Sequence, residues 1–287
     1  MTLGLQADPR DEPAPVVMDP APVAAGSGYT AAGADGMPRT SWGILGVRIS
    51  AAPAPAIAAE CVARRPVGSA LTVICANLHS LVTAASDETF AAALQGASFV
   101  TADGAPLVLA GRALGEPVGP RVTGWDLYIA TMTVLDREGG GAFFLGSTPA
   151  VLERIRERVS RDFPRVRVAL HSPPFGELTP DDDQAIVDRV NGFRPCVVWV
   201  GMSAPRQEKW AARVAPRLDT NAVAGIGAVF DFYAGTVPRA PVIMQRAGFE
   251  WLYRLVREPR RLWRRYLVSG PIFASLVVAE WRARGRR

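Results

Sequence analysis

Seven short apolar runs, set apart by longer stretches of a different period, restrict this chain more than any other feature. They are GILGVRI (43–49), ALTVICAN (70–77), SFVTAD (98–103), GAFFLGS (141–147), VRVAL (166–170), CVVWVGM (196–202) and NAVAGIG (221–227). Runs of this length, rich in β-branched and aromatic residues, read as strands. Between several of them lie amphipathic stretches such as PAVLERIRERVSRDF (149–163) and DDDQAIVDRVNGF (181–193). Thr148-Pro149 and Thr179-Pro180 supply a capping residue followed by proline in the first turn, which marks a helix start. Strand alternating with helix predicts an α/β fold, a mostly parallel sheet covered by helices on both faces.

The two ends differ from this body. Residues 1–40 hold six prolines and five glycines with almost no apolar periodicity, the composition of a disordered tail. The α/β unit is therefore placed at 41–245, and 246–287 is read as a separate basic appendage of amphipathic helices. That last segment carries eleven arginines against Glu250, Glu258 and Glu280, a net +8 in a chain of net +5, so residues 1–245 carry −3. A segregated basic end points to an anionic partner. REPRRLWRRYL (257–267) interleaves five arginines with Trp263, Tyr266 and two leucines. A break is expected at Glu258-Pro259, because proline disfavours helix at the residue before it. The apolar run PIFASLVVA (271–279) is nine residues, against about 20 for a spanning helix. The expectation is a segment that lies on a membrane without crossing it. Cys61, Cys75 and Cys196 are scattered and form no C-x-x-C, which argues against a disulfide framework and fits a reducing cytosol. The N-terminus lacks the pattern of a signal peptide.

Ligands of open α/β sheets bind beyond the carboxyl ends of the strands, and small or polar residues recur there. Asn77, His79 and Ser80 follow one strand, and Asp103 and Gly104 the next. Gly146, Gly201, Gly225 and Gly227 follow three others. Asp103 is either the cap of the helix after it or a general base, which needs a carboxylate suited to taking a proton from a hydroxyl. Arg121 precedes Thr123-Gly124, and Asp126 then opens a helix. That is an arrangement for holding phosphate with a guanidinium fork and backbone N–H groups, or a surface salt bridge. In GMSAPRQEKW (201–210), Gln207 and Glu208 stand near a helix start, where a glutamine can bind a base or a sugar hydroxyl. GIGAVFDF (225–232) lacks the third glycine of a dinucleotide fingerprint. Its Asp231 needs a partner if buried, and Arg239 is a candidate. The acids at 181–183 suit a helix N-terminus, and neither they nor His79 and His171 suggest a metal site.

In this order, NLHSL (77–81), ADGAPLV (102–108), RVTGWDL (121–127), FFLGSTP (143–149), GMSAPRQEKW (201–210), GAVFDFYAGTVPRAP (227–241) and EWLYRLVREPRRLWRRYL (250–267) resemble the WecG/TagA/CpsF glycosyltransferase family, glycosyltransferase family 26. The resemblance spans about Gly43 to Phe273. It implies a Rossmann-like core with a membrane-docking appendage that helps close the site. It also implies an inverting transfer, without metal or other cofactor, from a UDP-sugar to a polyprenyl-diphosphate-linked saccharide. Such an enzyme works peripherally at the cytoplasmic face of the inner membrane, in bacterial surface polysaccharide synthesis. Asp103 matches the family's proposed base, Arg121 its active-site arginine, and Gln207 lies in its P-x-Q-E block. Cys75 stands where members often carry threonine, which exchanges a hydroxyl for a thiol. The appendage arginines fall on Arg254, Arg261 and Arg264, whose spacings of 7 and 10 put them on one stripe of an unbroken helix. The expected partners are the donor, the lipid-linked acceptor and the bilayer surface, with burial of the appendage in a homo-oligomer left open. A Rossmann oxidoreductase would show G-x-G-x-x-G after the first strand, and 45–50 and 75–81 hold none. Nucleic-acid binding by the arginine-rich tail would be indifferent to lipid and is not expected.

Overall fold

The chain enters the fold through a hairpin, not through the single strand expected at 43–49. In the computed structural model, which describes residues 41–63, 67–68, 70–241, 243–244 and 250–285, β1 (Ser41–Ile44) pairs antiparallel with β2 (Val47–Ser50). Leu45 and Gly46 between them both take positive φ, 49° and 74°. That is the geometry of a two-residue reversal, whose twist matches the strands it joins. The apolar run misled because both arms are buried, Trp42 and Ile44 on one and Val47 and Ile49 on the other. The expected tail at 1–40 and the expected boundary at 245/246 lie outside the described residues.

The other six runs are strands at the expected places: β3 (Leu71–Ala76), β4 (Phe99–Ala102), β5 (Gly140–Gly146), β6 (Val166–His171), β7 (Val197–Gly201) and β8 (Ala222–Gly225). They form one sheet, every pair parallel, in the order β4-β3-β8-β7-β5-β6. Side chains alternate across it. Val73, Phe99, Phe144, Trp199 and Ala224 pack with α1 (Ala54–Val62), α5 (Gly124–Glu138), α6 (Pro149–Asp162) and α9 (Val229–Tyr233). On the other face Ile74 and Val100 meet the hairpin, α2 (Leu78–Ala84), α3 (Glu88–Gly96) and α4 (Ala105–Ala113). Phe143, Val198, Val200 and Val223 on that face meet α7 (Pro180–Phe193) and α8 (Arg206–Val214). This is a Rossmann-like α/β sheet with helices on both faces.

The helix starts follow their sequence signals. Thr148 Oγ1 accepts from Val151 N at the head of α6. At α7, Thr179 and Asp182 cap each other's backbone N–H groups. The acid run also has a packing role: buried Asp183 accepts from Trp210 Nε1 at 3.0 Å and from Arg213, tying α7 to α8.

Two features set the loop before α5 against the sheet. Val122 N donates to Ala102 O and Thr101 Oγ1 donates to Val122 O, so the loop before α5 lies along the tip of β4. Gly119 lets this loop pass the chain at Ala51, where a Cβ would stand 2.4 Å from the Ala51 carbonyl oxygen. Backbone cannot step aside as a side chain can. Gly119→Ala is therefore expected to cost about 1–3 kcal/mol by overpacking, read as a lower melting temperature, and to displace the loop that carries Arg121.

The appendage consists of α10 (Glu250–Arg257), α11 (Pro259–Trp263), a five-residue π turn (Arg264–Val268) and α12 (Ser269–Arg284). The break at Glu258-Pro259 is present, with Glu258 out of helical geometry (φ −127°, ψ 57°). The run 271–279 lies within α12, which packs on α2 and buries Phe273 in the core. Its far end is clamped to the hairpin: Leu45 N donates to Glu280 at 2.8 Å, and Arg284 reaches Glu116, Glu280 and the carbonyls of Gly43 and Leu114.

Candidate active site

Neighbouring strands β3 and β8 send the chain to opposite faces of the sheet, β3 into α2 and β8 into α9. Such a reversal opens a crevice at the carboxyl edge, where doubly wound sheets bind ligands. A cavity of about 600 Å³ lies there, walled by the turns after β3, β4, β7 and β8, the head of α5, and the appendage.

Asp103 stands on its wall. The capping alternative does not hold: Gly104 is the cap of α4, and that helix has no side-chain cap. Gly104 takes φ 133°, a region closed to residues with a Cβ. There the chain turns sharply out of β4, while Asp103 N is held by Ala76 O at 2.7 Å. Arg121 lines the same cavity, brought beside β4 by the bonds of Val122. Thr123 and Gly124 follow at the head of α5, where the helix dipole favours an anion.

Asn77, Ser80, Gln207, Glu208 and Gly227 also line the cavity. Asn77 and Ser80 form a reciprocal cap on α2, with Asn77 Oδ1 accepting from His79 N and Ser80 N and Ser80 Oγ accepting from Asn77 N. Gln207 and Glu208 open α8 and are buried. Burial raises the Glu208 carboxyl above the usual carboxylate range, against the opposing pull of its bond from Gln207 and the charge of Arg265. Cys75 also lines the cavity. Burial, reinforced by the nearby charge of Asp103, holds it firmly as a neutral thiol. His79, half-buried at the mouth, bonds through Nδ1 to Ser269 Oγ at 2.9 Å. Burial and Arg265 keep it below the ordinary histidine value.

Four expected contacts are not on the wall. Asp126 turns its carboxylate back to Thr123, accepting from Thr123 N at 3.0 Å and Oγ1 at 2.8 Å, so it orders the loop instead of facing a ligand. Gly146 and Gly201 serve packing. A Cβ on Gly146 would stand 2.7 Å from Gly201 O, and one on Gly201 2.5 Å from the Phe230 ring. Asp231 lies on α9, and the cavity takes Phe232 and Arg239 from this segment. Of the expected arginine stripe, Arg264 lines the cavity, together with Arg265 and Tyr266 of the π turn. The break after Arg257 separates the helix of Arg254 from that of Arg261. The side chains of Arg254 and Arg261 lie outside the described residues. Sequence reasoning missed Arg265, which the motif RRLWRRYL contained, and Arg239, whose guanidinium stacks over Trp125 at 4.5 Å from the ring centroid. It also missed Trp251 and Tyr266, which close the cavity from the appendage with centroids 5.6 Å apart.

A sequence model of the glycosyl transferase WecG/TagA/CpsF family matches residues 42–287. The chain belongs to this family. Its members are glycosyltransferases, and this chain is a glycosyltransferase. Among curated proteins it is 30% identical, over 74% of its length and 80% of the other's, to an N-acetylglucosaminyldiphosphoundecaprenol N-acetyl-beta-D-mannosaminyltransferase of Bacillus spizizenii. It is 28% identical over comparable shares, 74% and 81%, to a protein of the same description from Staphylococcus aureus. Among the described residues no helix of this WecG/TagA/CpsF member is long and apolar enough to cross a membrane. Nor, among them, do three or more His, Cys, Asp or Glu side chains group as a metal would require.

Proposed function

We propose that the chain transfers an N-acetylhexosamine from a UDP-sugar to an N-acetylglucosaminyl-diphosphate carried on a polyprenyl lipid, with inversion and without a metal ion. The observation that carries this reading is a single cavity lined by Asp103, by Arg121 at the head of α5, and by Arg264 and Arg265 of the appendage. The names of the relatives support the acceptor and the sugar class.

In this mechanism Asp103 takes the proton of an acceptor hydroxyl as its oxygen bonds to the anomeric carbon. Attack comes from the face opposite the diphosphate. The bond from that carbon to the diphosphate oxygen breaks, and its electron pair leaves with UDP. Guanidinium groups and the N–H groups of α5 stabilise the growing charge, the role preorganised donors fill in a site closed from water. Exposed Leu252, Val256, Trp263, Leu267, Ile272 and Trp281 stand on the appendage among its arginines. Interfacial helices mix the two classes in this way, which supports peripheral docking on the cytoplasmic side of the inner membrane, where a lipid-linked acceptor meets a soluble nucleotide sugar.

The test is UDP release from a panel of UDP-sugars with a polyprenyl-diphosphate N-acetylglucosamine analogue in anionic vesicles, with and without EDTA. Release is expected with a UDP-N-acetylhexosamine, undiminished by the chelator. No release from any UDP-sugar removes the donor, and loss of release in EDTA removes the metal-free mechanism.

A further inference from the structure

Residues 76–79, from the tip of β3 into the first turn of α2, are bonded to both sides of the cavity. Toward the sheet, Ala76 O accepts from Asp103 N at 2.7 Å. Toward the appendage, His79 Nδ1 is bonded to Ser269 Oγ at 2.9 Å. Between the two the backbone is held: Asn77 Oδ1 accepts from His79 N at 3.0 Å, and Ser80 Oγ accepts from Asn77 N at 3.2 Å. The ring that grips Ser269 therefore stands at a fixed place relative to the carbonyl that grips Asp103.

Ser269 passes this anchorage to the arginines. It is buried, begins α12 and caps the π turn, and its N–H donates to the carbonyls of Arg264 and Tyr266. A π turn is closed by a bond reaching five residues back, and Ser269 N to Arg264 O is that bond. The side chain of Ser269 is thus fixed by His79 while its backbone fixes Arg264. Arg265 follows in the same turn, and both arginines line the cavity. Phe273 and Arg284 anchor α12 farther along its length; His79 acts at its head, next to the turn. A base and its opposing guanidinium groups must meet the substrates together, and misplacing such a group by about 1 Å can cost about 10²-fold in rate.

We propose that His79 is a positioning residue: through its bond to Ser269 it sets where Arg264 and Arg265 stand relative to Asp103. The inference rests on the reading that these arginines hold a diphosphate.

The test combines calorimetric binding of inorganic pyrophosphate with UDP release, both on the full chain. His79→Ala is expected to weaken pyrophosphate about five- to ten-fold, the contribution of one partly buried hydrogen bond, and to lower UDP release at saturating substrates by at least as much. Ser269→Ala is expected to match it, and the two together to cost no more than either alone, because they remove one bond. The amide of asparagine reaches the place of Nδ1 and offers Ser269 both a donor and an acceptor, so His79→Asn is expected to recover most of the loss. With Arg264 and Arg265 both changed to Ala, His79→Ala is expected to add nothing to the weaker binding that remains. Parental affinity and turnover in both His79→Ala and Ser269→Ala overturn the proposal. So does a further full loss from His79→Ala when the arginines are already gone, which would mean that His79 meets the ligand itself. An asparagine variant that melts like the parent but binds as poorly as the alanine variant overturns it as well. The expected losses of pyrophosphate affinity in a chain that releases no UDP from any UDP-sugar uphold the positioning and overturn the donor reading; a parent chain that does not bind pyrophosphate overturns the positioning.

Discussion

Asp103→Asn is expected to lower turnover by about 10²–10⁴-fold, the usual contribution of one positioned base, while the chain stays folded and still binds donor. The position of the carboxylate is set by backbone: β4 is buried along its length, Asp103 N is held by Ala76 O, and Gly104 turns the chain at φ 133°. None of these needs the side-chain charge. Because Asp103 does not cap α4, the amide costs that helix nothing, and asparagine preserves the shape of the wall. The loss should appear in kcat, because a base acts as the proton moves and not on the bound ground state. UDP release at saturating donor and acceptor, a melting curve and a donor titration separate the cases. Full turnover in this variant would take Asp103 out of the reaction.

The central strands and their order along the chain were legible because β3, β4, β5, β7 and β8 are buried along nearly their whole length and so read as apolar runs between turn residues. The carboxyl edge was legible for the same reason: Asn77, Asp103 and Gly227 are small or polar residues that end such runs. What periodicity does not carry is the direction of a side chain once the chain leaves regular structure. Asp126 and Gln207 both stand at helix heads with similar chemistry, yet one folds back on its own cap and the other enters the cavity. Gly146, Gly201 and Gly227 are alike on paper. Two of them give room to Gly201 O and Phe230, and the third opens onto Gln207. The hairpin hid for a different reason. Leu45 holds a positive φ that leucine disfavours, and its N–H is met by Glu280, 235 residues away. No local signal contains that partner.

The appendage shows the same limit. Its composition raised the expectation of a surface for anions and lipid, but which arginines face the cavity depends on the π turn at Arg264–Val268 and on the anchoring of α12 to α2 and the hairpin. With α12 fixed at both ends by Ser269 and Arg284, the turn before it is held over the crevice. The cavity therefore joins the carboxyl edge of the sheet to the turn before α12, which lies more than 100 residues along the chain from β4.

Arg121→Ala is expected to reduce kcat/KM by about 10²–10³-fold, the loss measured when one preorganised charge-stabilising donor is removed. Its place follows from Val122, whose backbone is bonded to β4 on both sides, and from the helix head that begins at Gly124. Arg121, Thr123 and Gly124 all line the cavity there, and a guanidinium fork beside a helix head suits the oxygens of a diphosphate. Charge grows on that group as the glycosidic bond breaks, so the contact strengthens toward the transition state and its loss should fall on kcat more than on donor affinity. Arg121→Lys restores the charge without the fork and should recover part of the rate, about ten-fold below the parent. An alanine variant with parental kcat and a raised KM would mean that Arg121 only holds the ground state. Parental values of both would leave the leaving group to Arg264 and Arg265 alone.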